Sequence, residues 1–147
     1  MDYILWSKKI DEKLGLKRYD EAKELLRKGL FLAKEDKNKS FIEYFSGELQ
    51  DIEGNYKLAI SHYKKAVELT KKIEYKAFFL KNVGISLSKL GQEEEAIAWY
   101  DRALEIKPDD YNSLRNKGVA FSKLGQEKEA IAWYDRALEI KPDDYNS

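Results

Sequence analysis

The feature that most constrains this sequence of 147 residues is a long internal repeat. Residues 88–113 and 122–147 are identical at 25 of 26 positions, and the change replaces Glu94 by Lys128. The two copies lie 34 residues apart. A period of a few tens of residues is typical of proteins in which one small unit stacks on the next. The repeat therefore predicts an array of similar units rather than a globule with one irregular core.

Small residues, tyrosine and proline recur at fixed offsets within each copy. Glycine and alanine let two helices approach closely, glycine after a helix adopts a left-handed backbone without strain, and proline stops a helix. These markers are Gly84, Gly91, Ala96, Tyr100, Ala103 and Pro108 in one copy, and Gly118, Gly125, Ala130, Tyr134, Ala137 and Pro142 in the next. Their spacing resembles the tetratricopeptide repeat, which folds as two helices in about 34 residues.

The resemblance implies an all-α fold, a right-handed superhelical solenoid of about four helix-turn-helix repeats. We predict one domain over residues 1–147, with repeats at 1–39, 40–76, 77–110 and 111–144 and the start of a further repeat at 145–147. The predicted helices are 2–14, 19–35, 40–53, 56–72, 75–90, 93–106, 110–124 and 127–140. The second repeat has Lys71 where the markers place proline. Without that stop, the fourth helix is expected to run past Lys72.

Composition argues against several classes of partner. A net charge of zero provides no overall attraction to nucleic acid. No apolar stretch approaches the roughly 20 residues that a membrane-spanning helix needs. The residues after Met1 lack the basic segment and apolar run of a secretory signal. We therefore expect a cytoplasmic protein that binds neither nucleic acid nor membrane.

Catalysis and metal binding require side chains that are scarce in this sequence. It contains one histidine and no cysteine, whereas a nucleophile needs a neighbouring base and a metal needs several converging ligands. We interpret His62 as a partly buried helix residue. The glycines are isolated and form no phosphate-binding loop. The sequence predicts no enzyme activity, no cofactor and no metal site.

The resemblance also implies a concave groove lined by the first helix of each repeat. The predicted peptide-binding residues are Phe78, Lys81, Asn82 and Ile85 in the third repeat and Asn112, Arg115, Asn116 and Val119 in the fourth. An asparagine amide both donates and accepts, so Asn82 and Asn116 are suited to a peptide backbone, although asparagine is also common at this position. Lys81 and Arg115 are either a carboxylate-binding pair or solvated surface cations.

A well-known site of the family is a clamp for the acidic tails of heat-shock chaperones. By resemblance, Lys81 and Asn116 match two of its positions, but Ile85 stands where an asparagine is needed. We therefore expect tails of the Glu-Glu-Val-Asp type to bind poorly.

Aromatic residues occupy the corresponding positions of the second repeat, at Phe41, Tyr44 and Phe45. They could line the groove and hold an apolar anchor of a peptide. Alternatively, Phe41 and Phe45 belong to an ordinary core stripe. Ser46 and Gln50 replace large residues of the pattern, which favours the core interpretation.

These patterns favour a non-enzymatic scaffold that binds a peptide or helix of a partner protein in its groove. Two alternatives stay open. The chain is a self-association module or a fragment of a longer repeat array, or it is the regulatory arm of an enzyme whose catalytic domain lies elsewhere.

Self-association would use the apolar side of the last helix, at Tyr134, Ala137, Leu138 and Ile140. Two such helices could pair about a twofold axis as a homodimer. Alternatively, the last helix could meet the Trp6 and Ile10 face of another copy and build open chains. The twofold homodimer is favoured, because open chains would compromise solubility.

Overall fold

The computed structural model describes residues 1–142, which contain eight α-helices and no β-strand. The helices are α1 (Tyr3–Gly15), α2 (Tyr19–Glu35), α3 (Lys39–Ile52), α4 (Tyr56–Leu69), α5 (Ile73–Lys89), α6 (Glu93–Ile106), α7 (Tyr111–Lys123) and α8 (Glu127–Ile140). The predicted all-α fold is confirmed, and most helix ends lie within one residue of the predicted positions. Within the described residues, no helix is both long enough and apolar enough to cross a membrane.

The helices group into two compact units. The N-terminal unit, residues 1–70, contains α1 to α4, and the C-terminal unit begins at Lys71 and contains α5 to α8. Within each unit, every helix packs against the next one along the chain. The single domain over residues 1–147 and its division into four repeats stay predictions.

Glycines after α5 and α7 end these helices as the sequence predicts. Gly91 and Gly125 have φ angles of +80° and +77°. The left-handed residue reverses the chain, so that the amide of Gln92 bonds back to the carbonyl of Leu87 at 3.0 Å. Lys17 takes the same conformation after α1, with φ of 58°. The first repeat therefore makes the same turn without a glycine.

Helix pairs come into close contact where a glycine faces a tyrosine. A Cβ atom placed on Gly84 would lie 2.5 Å from the ring of Tyr100, and one on Gly118 would lie 2.8 Å from the ring of Tyr134. Ala96, Ala103, Ala130 and Ala137 are buried in the same helix pairs. This confirms the predicted roles of the small residues at helix contacts.

The end of α4 differs from the prediction. The helix does not run past Lys72 but ends at Leu69, and α5 begins at Ile73. Thr70 closes the last turn, with its amide bonded to the carbonyl of Ala66, and its ψ of 140° turns the chain into an extended conformation. Because Thr70 is β-branched, it favours extended backbone more than the lysines after it do. A helix stop thus occurs without proline.

The aromatic residues of α3 belong to the core of the N-terminal unit, as favoured above. Phe41, Tyr44 and Phe45 are buried, and the ring of Phe41 stacks on that of Tyr3 with centroids 4.8 Å apart. The Tyr44 hydroxyl accepts a hydrogen bond from Ser7 and donates one to Glu48. Burial, reinforced by the negative charge of Glu48, raises the pKa of Tyr44 well above its usual value. These aromatic rings are therefore unavailable to a ligand.

Candidate peptide-binding surface

The predicted groove residues of α5 form one stripe along that helix. They are Phe78, Lys81, Asn82 and Ile85. This spacing of three, four and seven residues places all four side chains on the same side of a helix. All four are partly exposed, whereas Phe79, Leu80 and Val83 between them are buried. The helix thus uses one side for the core and keeps the predicted stripe accessible.

α7 repeats the stripe 34 residues later, and it contacts α5 directly. Its members are Asn112, Arg115, Asn116 and Val119, of which the first two are exposed and the last two partly exposed. The first turn of α7 is held by Asp110, whose carboxylate accepts a hydrogen bond from the amide of Ser113 at 3.1 Å. We call these two neighbouring stripes the α5/α7 face.

Side chains of the α5 stripe are partly engaged with each other. The Lys81 ammonium lies 5.1 Å from the centroid of the Phe78 ring, within the range of a cation–π contact. The Asn82 amide donates a hydrogen bond to the carbonyl of Phe78 at 2.8 Å. An amide has two N–H groups and a carbonyl oxygen, so this bond uses one of its donors and orients the others.

Arg115 on α7 is electrostatically coupled to α8. The pKa of Tyr134 is raised, mainly by burial of its ring; the positive charge of Arg115 opposes this rise, and the negative charge of Glu127 adds to it. Arg115 and Lys81 therefore supply the α5/α7 face with two cations from adjacent helices. The structure places these two predicted residues on helices in contact, and their role in binding a carboxylate stays a prediction.

Glu93 is a buried residue of α6, near the C-terminal end of α5, whose contacts sequence analysis missed. Its buried carboxylate accepts a hydrogen bond from Ser88 at 2.7 Å and lies 3.8 Å from the ammonium of Lys123. α5, α6 and α7 are thereby linked at the C-terminal end of the α5/α7 face. The fourth repeat has the equivalent bond from Ser122 to Glu127, so a serine followed five residues later by glutamate was the available signal.

Lys117 is a second residue that sequence analysis missed. It stands 34 positions after Val83, which is a buried core residue, and it is itself only 7% exposed. Its ammonium pairs with the carboxylate of Asp101 on α6 and lies 3.5 Å from the centroid of the Trp133 ring on α8. Lys117 therefore joins three helices of the C-terminal unit from within.

The residues predicted for self-association lie in different environments. Ala137 is 3% exposed, and the ring of Tyr134 packs over Gly118 of α7. Ala137 therefore does not contribute to an exposed patch, because the packing of α8 on α7 covers this small side chain. Leu138 is partly exposed and Ile140 is exposed. Ile131, which was not predicted, is 56% exposed and is the more prominent apolar residue of α8.

His62 is a partly buried helix residue, as interpreted above. Its Nδ1 atom lies 2.7 Å from a carboxylate oxygen of Glu43 on the neighbouring helix. Among residues 1–142, no group of three or more histidine, cysteine or acidic side chains is placed to hold a metal ion. His62 has a structural partner in Glu43, which accounts for its position.

Comparison with known families supports the repeat pattern. The family model described as Tetratricopeptide repeat matches residues 42–109 and 77–143, which together exceed half of the chain. Among curated proteins, the chain is 30% identical over 76 residues to the photosystem I assembly protein Ycf3 of Acaryochloris marina, covering 51% of this chain and 46% of that protein. The Ycf3 protein of Cuscuta gronovii is 32% identical over 69 residues, covering 47% and 41%. The chain thus spans less than half the length of these relatives.

Solved structures with the same fold cover most of the chain. The first tetratricopeptide domain of Spaghetti (RPAP3), bound to the HSP90 peptide SRMEEVD, superposes with a TM-score of 0.66 at 22% identity, covering 72% of this chain and 82% of that one. YrrB, described as having an unusual peptide-binding site, gives 0.66 at 24% identity, covering 94% and 68%. MamA gives 0.65 at 20% identity, covering 99% and 76%. At these identities the likeness concerns the fold.

Proposed function

Because the chain belongs to the tetratricopeptide repeat family, we propose that it is a non-enzymatic scaffold whose α5/α7 face binds an extended segment of a partner protein. One observation carries this proposal. Two adjacent helices keep equivalent stripes accessible while burying the residues between them. Such a surface presents a cation, an asparagine amide and a β-branched apolar side chain on each of two neighbouring helices, which suits a ligand that runs across both.

The chemistry of the α5/α7 face suits a peptide with a carboxylate. The amides of Asn82 and Asn116 offer donors and acceptors to a peptide backbone. Lys81 and Arg115 attract an acidic side chain, and Ile85 with Val119 offers apolar contact to an intervening one. Descriptions of similar proteins also support a protein partner. The Spaghetti domains bind an HSP90 peptide, and Ycf3 is an assembly protein. A cytoplasmic location belongs to the same proposal.

A double substitution on the α5/α7 face tests this function. Peptides would first be selected from a random-sequence phage library against the unchanged chain. Asn82→Ala with Asn116→Ala should weaken the selected peptides by about thirtyfold, because each amide contributes a hydrogen bond of about 1 kcal/mol and every 1.4 kcal/mol changes the affinity about tenfold. Isothermal titration calorimetry measures the affinity, and thermal unfolding should be unchanged because both side chains are partly exposed.

The repeat supplies a matched control for this experiment. Gln92 and Gln126 are exposed amides 34 residues apart that precede α6 and α8 without capping them. Gln92→Ala with Gln126→Ala should leave the affinity of the same peptides unchanged. Selected peptides that bind the asparagine double variant as tightly as the unchanged chain would refute the proposed surface.

Homodimerisation through α8 remains a second proposal. The accessible side chains of Ile131 and Leu138 favour it, since they stand seven residues apart on one side of α8 and exposed apolar groups are a common feature of interfaces. Sedimentation velocity over a wide concentration range tests it. This interface is supported if the protein associates as its concentration rises and Ile131→Ser abolishes that association. A protein that stays strictly monomeric at high concentration contradicts it.

A further inference from the structure

The N-terminal unit contains an open apolar groove that lies outside the α5/α7 face. Its volume is about 470 Å³, within the approximate range of 300–1,000 Å³ typical of ligand sites. The residues that line it are Trp6 of α1 and Glu24, Arg27, Lys28, Phe31 and Leu32 of α2. Carbon atoms form most of its wall. We call it the Trp6 groove.

The indole at one wall of the Trp6 groove is held in place. Its Nε1 atom donates a hydrogen bond to the carbonyl of Leu25 at 2.9 Å. Gly29 provides the space for the ring, because a Cβ atom at this position would lie 2.7 Å from Nε1 of Trp6. A wall fixed by packing and a hydrogen bond loses little conformational freedom when a ligand binds.

Two apolar residues of α2 that line the Trp6 groove are exposed. Phe31 is 62% exposed and Leu32 is 36% exposed. Covering a large side chain of this kind releases water from apolar surface, which is favourable for a ligand with matching apolar groups. Trp6 and Phe31 are also of the aromatic type that contributes strongly to binding surfaces.

Positive charge predominates at the edge of the Trp6 groove. Arg27 and Lys28 line it with one acidic residue, Glu24. The ammonium of Lys9 lies 5.8 Å from the centroid of the Trp6 ring and adds a third cation. An apolar ligand that also carries carboxylates would complement this charge, whereas one that carries cations would be repelled.

The lining residues of α2 follow the spacing of one side of a helix. Four of its residues, Glu24, Arg27, Lys28 and Phe31, stand at i, i+3, i+4 and i+7 on α2 and form a straight stripe of about 10 Å. A helix lying alongside α2 repeats its apolar side chains at the same spacing. A second helix can therefore place successive anchors between Trp6 and Phe31.

We propose that the Trp6 groove is a second binding site, specific for an acidic amphipathic helix of a partner protein. The apolar side of that helix contacts Trp6 and Phe31, and its flanking carboxylates pair with Arg27 and Lys28. This site lies entirely on α1 and α2, so it does not depend on ligand binding at the α5/α7 face.

Two synthetic helical peptides test the charge and the shape of this site. Both carry leucines at i, i+3, i+4 and i+7, and they differ only in having glutamate or lysine at the flanking positions. The indole N–H signal of Trp6, assigned with Trp6→Phe, is followed by NMR titration. The glutamate peptide should shift this signal and bind at least about tenfold tighter than the lysine peptide.

Variants of the full chain separate the apolar and the charged contributions to binding. Phe31→Ser should weaken the glutamate peptide by roughly tenfold through lost apolar contact, and the matched control Ile131→Ser on α8 should not. Arg27→Glu with Lys28→Glu should reverse the preference between the peptides. Asn82→Ala with Asn116→Ala should leave both affinities unchanged, which distinguishes this site from the α5/α7 face. Circular dichroism and thermal unfolding confirm that each variant is folded.

Three outcomes would overturn the proposal. The first is no shift of the Trp6 signal with either peptide, and the second is equal or tighter binding of the lysine peptide. The third is a response of Trp6 to vesicles of phosphatidylcholine and phosphatidylglycerol without a response to the glutamate peptide. That result would assign the exposed aromatic and basic residues to an anionic membrane surface instead.

Discussion

Lys117 shows how one substitution in a repeat changes the chemistry of a helix contact. A lysine in place of the valine of the preceding repeat brings a charge into a buried position. Removing a charge from water is costly unless a partner compensates for it. Asp101 provides the opposite charge, and the face of the Trp133 ring lies directly against the ammonium. The buried ammonium of Lys117 is therefore tolerated because Asp101 and Trp133 compensate for its loss of water.

This dependence leads to a prediction about Asp101. Asp101→Asn removes the carboxylate and leaves the ammonium of Lys117 buried without its partner charge. Because the Asp101 side chain is half exposed, the loss in the free energy of unfolding should be about 1–2 kcal/mol rather than the larger cost of a fully buried pair. Urea denaturation monitored by circular dichroism measures this loss.

The repeat provides the control at the same position of α8. Asp135→Asn changes an exposed residue in an almost identical helix and should alter the free energy of unfolding by no more than about 0.5 kcal/mol. Replacing Lys117 by methionine, which keeps the length without the charge, should be nearly neutral or stabilising. Equal effects of the two aspartate substitutions would show that the ion pair contributes nothing.

Some pairs of helices in this chain pack so closely that only glycine fits at the point of contact. We predict that Gly84→Ala destabilises the C-terminal unit by about 1–3 kcal/mol, because its methyl group would overlap the buried ring of Tyr100. Gly15→Ala is the matched control, since nothing lies within 4 Å of a Cβ atom there. Gly15→Ala should be neutral or slightly stabilising, as alanine favours helix over glycine. Thermal unfolding compares the stability of both variants with that of the parent. A Gly84→Ala protein as stable as the parent would contradict the packing described.

Helix positions were predictable because the signals for them are local and repeated. Gly91 and Gly125 mark helix ends by their backbone conformation, and α5 to α8 fall where these markers place them. The end of α4 was not predictable from the missing proline, because Thr70 ends the helix by a weaker preference. Lys117 and Glu93 were missed for another reason. Their roles depend on partners from other helices, and spacing along one helix carries no information about such partners.

Candidate binding residues were predictable only in part. The family pattern identified the α5/α7 face, and the structure leaves all eight of its predicted residues at least partly accessible. The sequence indicated Trp6 only as part of a face for self-association and did not indicate the groove beside it, because helical spacing does not show that Phe31 and Leu32 stay exposed. Their exposure becomes visible only once α1 and α2 are packed together.

Although the net charge of the whole chain is zero, two of its surfaces are locally basic. The α5/α7 face has Lys81 and Arg115, and the Trp6 groove has Arg27 and Lys28. Both surfaces combine cations with apolar side chains, so charge alone does not determine what each one binds. Specificity must come from the groups beside the cations, which are amides at the α5/α7 face and aromatic rings in the Trp6 groove.

This distinction predicts how the chain responds to the HSP90 peptide SRMEEVD that the similar Spaghetti domains bind. Lys81 and Asn116 offer two of the groups that the family's clamp uses, but Ile85 replaces an amide by an apolar side chain. A carboxylate placed against Ile85 would lose water without gaining a hydrogen bond, which costs about 1–3 kcal/mol. We therefore expect this peptide to bind about 5- to 150-fold more weakly than it would bind to a site with asparagine at this position. Ile85→Asn should strengthen binding severalfold in an NMR titration, whereas Val119→Asn, the same change one repeat later, should not. Micromolar binding by the unchanged chain would show that its cations alone suffice for this peptide.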